Sequence, residues 1–291
     1  MAVALVLLAG ILCLLAPACQ SVLIRSATRS RAAPIILAFV LSALFLEQAA
    51  RLHALSPSLA LLVLAYTIAP TLVLYGQESG SDASWRDLAA ILLLWLPLEF
   101  AVGAELVPKA AQGALHTVTY GVAILLALYL FLVVRRLPGM KYRPPVRGSD
   151  YWNALVGFAV SIPLLIPLGL WLGFLAPFHA MRFAVPGLLL RMLAIFVGTA
   201  LPEEILFRSL IQNWIAQRMG PSRVIATVVI SGLIFGCAHL DNGPQALPNW
   251  RYGILASLAG MIFGAVFAKS SSVVASALVH MAVDTTKHAW F

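Results

Sequence analysis

The sequence predicts an all-α fold, a polytopic membrane helix bundle of about 8 to 10 transmembrane helices with a polar cavity among the C-terminal ones. Three observations carry that expectation. Of 291 residues, 62% are hydrophobic and only 10% charged, and the mean hydropathy is +0.95, far from the composition of water-soluble domains. Apolar runs of near-spanning length follow one another along the chain. The basic residues behind the net charge of +8 gather in short connections, where they orient helices in a bilayer and give no reason to expect nucleic acid as a partner.

The runs fall at 2–24, 33–50, 58–75, 88–106, 115–134, 152–176, 186–217, 222–240, 252–268 and 271–289. The first resembles a signal peptide, and Ala16-Pro-Ala-Cys19 faintly resembles a lipoprotein cleavage site. No Lys or Arg precedes its apolar core, so a retained first helix is expected. Internal prolines such as Pro97, Pro163 and Pro167 predict kinks. Arg25, Arg29 and Arg31 fill the first loop, and Arg135, Arg136, Lys141, Arg143 and Arg147 the fifth, which makes both cytoplasmic. With ten alternating helices both termini then lie outside. Cys13, Cys19 and Cys237 sit in apolar runs without metal spacing and are expected to be buried thiols.

Three parts follow: an accessory N-terminal transmembrane half, 1–134; a basic cytoplasmic loop, 135–151; and a catalytic transmembrane domain, 152–291. The front half carries only Glu47, Glu99 and Glu105 as charges within its runs. Glu47 and Glu105 fall near helix ends; Glu99, beside Pro97 and nearer the middle, is read as packing against a neighbouring helix, with a second polar site as the alternative.

The chemistry concentrates in Leu201-Pro-Glu-Glu-Ile-Leu-Phe-Arg208. An ionised side chain at the bilayer centre costs about 2.5 to 3.5 kcal/mol, so charges kept there are functional by default. Glu204 and Arg208, four apart, form a structural ion pair in the favourable order. Glu203 points about 100° away round the helix and is left without a cation, as suits a general base or a metal ligand. Further polar residues are His239 in Phe235-Gly-Cys-Ala-His239, and His280 with Asp284, one turn apart on the last run. With Gly220-Pro221 as a turn, Glu203 and His239 both lie about 25 Å from it on antiparallel helices, at similar depth. His280 and Asp284 come out shallower, about 15 and 20 Å from their own turn. Gly232, Gly236, Gly260, Gly264 and Ala268 allow close approach of these helices.

A carboxylate beside a histidine deprotonates a water that attacks a carbonyl carbon, and opposing polar groups hold the oxyanion. Alternatively Glu203, His239 and His280 hold a divalent metal such as zinc that activates the same water. Spacing leaves both open.

The set Glu203-Glu204 with Arg208, Phe235 with His239, and His280 followed by Asp284, preceded by Gly260-Met-Ile-Phe-Gly264, resembles the CPBP or Abi group. That group includes type II CAAX prenyl endopeptidases and bacteriocin-processing or self-immunity proteins. The resemblance covers 150–291 and implies an intramembrane endopeptidase acting on a membrane-embedded or membrane-anchored peptide, in a multi-pass protein of a bacterial inner or plasma membrane. It implies Glu203 as general base, His239 as its partner on the water, and His280 with residue 284 as oxyanion support. Members are described both as metalloproteases and as metal-free glutamate-type proteases. Asp284 departs from the group's Asn, and an ionised side chain there repels an oxyanion unless it is protonated, paired with His280 or bound to metal. Two other readings stand beside the enzyme: a non-catalytic membrane partner that binds a peptide or toxin and confers immunity, and a proton-coupled transporter. Against the transporter, the two halves share no repeat.

Overall fold

The computed structural model describes residues 2–181, 184–243 and 246–291, and among them every regular element is a helix. Six helices are long and apolar enough to cross a membrane, or seven if one bent pair is a single span. The fold is the polytopic helical bundle expected, with fewer full spans than the ten runs implied. Helices are numbered α1 to α11 along the chain.

The first run is not one helix. It breaks by 98° between α1 (Ala2–Cys13) and α2 (Pro17–Arg29), because Pro17 has no backbone N–H to continue the ladder and opens a new helix at its first turn. Cys13 and Cys19 face each other across this bend with sulfurs 2.6 Å apart. Cys13 and Cys237 are exposed and Cys19 half-buried, against the expected burial. In a bilayer, lipid is as apolar as the protein interior, so an apolar neighbourhood in sequence does not mark an inward face.

Contacts divide the chain into two compact units, Met1–Met140 and Lys141–Phe291. In the first, α3 (Ala33–Arg51), α4 (Pro57–Leu74), α5 (Trp85–Glu99) and α6 (Lys109–Val134) pack in sequence, and α1 lies on α6. Ser56 caps α4, and Ser84 with Asp87 forms a capping box on α5, satisfying N–H groups that have no intrahelical acceptor. Arg135 is fully buried: it donates to both Asp87 oxygens at 2.9 and 3.1 Å and to the carbonyls of Glu78 and Asp82. This cation of the basic stretch closes a loop onto the start of α5. Glu99 is exposed at the end of α5 and accepts from Trp95 Nε1 at 2.8 Å. Glu47 pairs with Arg51, and Glu105 lies in a single 3-10 turn, Ala104–Leu106.

The second unit holds α7 (Gly148–Trp171), α8 (Val185–Met219), α9 (Val224–Cys237), α10 (Trp250–Lys269) and α11 (Val273–Trp290). The α9 and α10 backbones meet at glycines. A Cβ on Gly236 would stand 2.5 Å from the Gly253 carbonyl oxygen, and one on Gly232 2.9 Å from the Met261 nitrogen. Lys141 Nζ donates to the Phe267 and Ala268 carbonyls, and Arg143 Nε to that of Ser271. Those carbonyls lie at the end of α10, where four lack intrahelical donors. Asp150 accepts from the backbone and hydroxyl of Ser271 at 2.7 and 2.6 Å. The turn between α10 and α11 is thereby fixed, and with it the start of the helix that carries His280.

Candidate active site

Glu203 and Glu204 lie in a short α-helical piece of α8, Leu201–Glu204, between two π-helical turns, Phe196–Ala200 and Ile205–Gln212. Such turns are rare and occur frequently at functional sites. A π turn takes more residues to advance the same distance, so Glu203 stands closer to Gly220 than a count at about 1.5 Å per residue gives. That narrows the depth mismatch between Glu203 and the His280 pair.

Glu204 is a completely buried hub. Its carboxylate accepts from Arg208 Nε at 3.0 Å and from the Ser276 hydroxyl, and it stands 3.1 Å from His280 Nδ1. Arg208, equally buried, also reaches Ser231 Oγ at 3.4 Å and lies 5.2 Å from the Phe235 ring centre. Ser231 donates to Gln212 Oε1 at 3.0 Å, and Gln212 Nε2 donates to the Gly264 carbonyl at 2.9 Å. This chain ties α8 to α9, α10 and α11. It explains Gly264 as well, since a Cβ there would come within 2.6 Å of Gln212 Oε1.

Glu203 takes no part in that network. Its Oε2 is buried with no hydrogen-bond partner and lies 3.9 Å from Nε2 of both His239 and His280. His239 is not inside a helix as the sequence predicts; it follows the last residue of α9, Cys237, in a turn. The bend lets Nδ1 face the Phe235 carbonyl at 2.8 Å. A carbonyl only accepts, so Nδ1 carries a proton and Nε2 is the nitrogen that faces Glu203. The rings of Phe235, at 4.5 Å, and Tyr252, edge-on at 4.8 Å, hold the imidazole. His280 stacks on Phe263 at 4.7 Å, and its Nε2 is 3.5 Å from Asp284. Both of its nitrogens therefore face carboxylates, Glu204 on one side and Asp284 with Glu203 on the other. A cavity of about 80 Å³ is lined by His239, Tyr252, Phe263, His280, Asp284 and Lys287 among others, room for a few water molecules.

Glu203, His239, His280 and Asp284 thus come together, and Glu204 with Arg208 supports them. The three metal candidates, Glu203, His239 and His280, do not take up ligand spacing. Donors about 2.0 to 2.1 Å from a tetrahedral zinc stand about 3.4 Å from one another, less than the 3.9 Å seen from Glu203 to either nitrogen. No group of three His, Cys, Asp or Glu among the described residues is placed to hold a metal ion. The residues present do not fit such a group.

Sequence reasoning missed Ser231, Ser276, Gln212, Tyr252 and Phe263. The serines and Gln212 carried a faint signal, as polar groups in apolar helices that face the same depth as Arg208 and Glu204. Tyr252 and Phe263 carried none, being ordinary residues of a membrane helix.

No curated protein and no solved structure matches the chain. A family model matches residues 185–286, about a third of the sequence, and its description supports an intramembrane endopeptidase in general. The segment that carries Glu203, His239, His280 and Asp284 is the one matched by the family of Type II CAAX prenyl endopeptidase Rce1-like proteins, in agreement with the CPBP resemblance of its three motifs.

Proposed function

We propose that the protein is an intramembrane endopeptidase that hydrolyses a peptide bond of a membrane-associated peptide with a water activated by Glu203 and His239. The observation that carries this reading is Glu203 Oε2 facing His239 Nε2 across 3.9 Å, two acceptors when the ring is neutral. Two acceptors at that separation repel unless a donor lies between them, and a water with two protons fits both.

In the proposed cycle, Glu203 takes one proton as the water oxygen bonds to the carbonyl carbon of the substrate. His239, anchored through Phe235, orients the other proton. The oxyanion that forms is held by the Nε2–H of His280, whose positive charge is balanced by Glu204 and Asp284. Asp284 thereby acts through its pair with His280 and not as a direct donor. Glu203 then delivers its proton to the amide nitrogen as the C–N bond breaks, leaving a new carboxyl end and a new amine. No step needs a nucleophilic side chain.

The test is cleavage of a panel of membrane peptides by purified protein in detergent. Glu203→Gln and His239→Ala should each lose activity by about a hundredfold or more, and a strong chelator should leave the wild type unchanged. Retained activity in Glu203→Gln would exclude the base role, and loss on chelation restored by zinc would replace the water mechanism with a metal one.

A further inference from the structure

The first unit contains a cavity larger than the one at the candidate active site. It measures about 410 Å³ and lies between the end of α3, the first half of α4, the segment after α5 and the first half of α6. Its size falls within the usual range of small-molecule sites.

Its origin is local. Pro97 lies in the last turn of α5, and beyond Glu99 the chain runs through Ala101 and Gly103, both at positive φ, before α6 begins at Lys109. Between α5 and α6 the chain therefore makes only a single 3-10 turn, Ala104–Leu106, at this level. Gly113, on the α6 wall, adds nothing, since a Cβ there would meet no atom within 4 Å. The floor and sides are apolar, with Phe45, Leu59, Leu62 and Val63 prominent.

The polar groups gather on the α6 side. His116 is exposed, its ring tilted at 33° to that of Tyr120 with centres 4.6 Å apart. Gln112 is engaged with the Ala104 and Val107 carbonyls. Lys109 is exposed one turn before Gly113. From Gln112 to Val122 the wall is about 15 Å long, and the volume equals that of about a dozen water molecules at roughly 30 Å³ each.

We infer that this cavity binds one acyl chain of a bilayer phospholipid, with the glycerol ester near His116 and the phosphate near Lys109. Three of the helices that line it, α3, α4 and α6, are long and apolar enough to cross a membrane, which puts bilayer lipid within reach of the cavity. An apolar slot of this length beside an exposed imidazole and an exposed ammonium matches an amphiphile with a long tail and an anionic group. The inference does not depend on the endopeptidase reading, because every residue it uses lies in the first unit.

Washed protein in a delipidating detergent is the test, with phospholipid per chain counted by mass spectrometry. The wild type should retain about one phospholipid. Gly113→Phe, which puts a ring into open space, and Ala104→Phe, at an exposed lining position, should each retain at least about fivefold less. Leu61→Phe, on the exposed outer side of α4, should retain as much as the wild type. The idea is overturned if the wild type retains none, or if either filled variant, shown by its melting curve to be folded, retains as much as Leu61→Phe.

Discussion

Two adjacent glutamates in one helix have opposite surroundings. Glu204 has three donors around it, from Arg208, Ser276 and His280, while the Oε2 of Glu203 has none. Removing one partner of a buried pair leaves the other charge uncompensated, which costs about 3 to 5 kcal/mol. Glu204→Gln or Arg208→Met alone should lower the melting temperature of detergent-solubilised protein and reduce yield. The double variant, which removes both charges, should recover part of the loss, and a double-variant loss equal to the sum of the two single losses would show the pair to be energetically idle. Glu203→Gln should leave melting unchanged or slightly higher, since it neutralises a carboxylate with no donor on Oε2. A matching drop in Glu203→Gln would give Glu203 a structural role after all. Charge within an apolar run made this glutamate pair legible in the sequence. The hydroxyls that complete it were not legible, because a serine in a membrane helix is common and its partner is set by the packing of another helix.

At the scale of the helix, α9 and α10 position His239 and Tyr252 through glycine-lined contact. A Cβ at Gly236 would stand 1.9 Å from Ser257 Oγ and 2.5 Å from the Gly253 carbonyl. The hydroxyl can rotate away, but the carbonyl belongs to the α10 backbone and the helix must move. Overpacking of this kind costs about 1 to 3 kcal/mol. Gly236→Ala should therefore melt earlier than the wild type and cleave more slowly, because the shifted α10 carries the Tyr252 ring that holds His239. Gly198→Ala, where a Cβ meets nothing within 4 Å, should change neither. If Gly198→Ala proved as damaging as Gly236→Ala, close approach would not be the reason for glycine. Small residues on facing helices gave away this contact in advance. The break at Pro17, the π turns of α8 and the position of His239 beyond the end of α9 were hidden. Each depends on how a helix is bent by its neighbours, and periodicity records only the local preference.

Across the whole molecule, the contacts named for the buried charges of each unit come from within that unit. Arg135 is satisfied within the first by Asp87 and two carbonyls. In the second, every partner named for Glu203, Glu204, Arg208, His239 and His280 lies beyond Lys141, and Lys141 and Arg143 themselves end in the turn before α11. A unit that contains both partners of its buried ion pairs keeps those pairs when it is separated. Residues 141–291, expressed alone into lipid nanodiscs, should therefore fold and cleave the peptides that the full chain cleaves, with kcat within about tenfold and any deficit in KM. Asp87→Ala in the full chain should destabilise the first unit by about 3 to 5 kcal/mol and leave the cleavage rate of the surviving protein unchanged. Should 141–291 fold, by its melting transition, yet cleave nothing, the first 140 residues would be part of the catalytic machinery and no accessory to it.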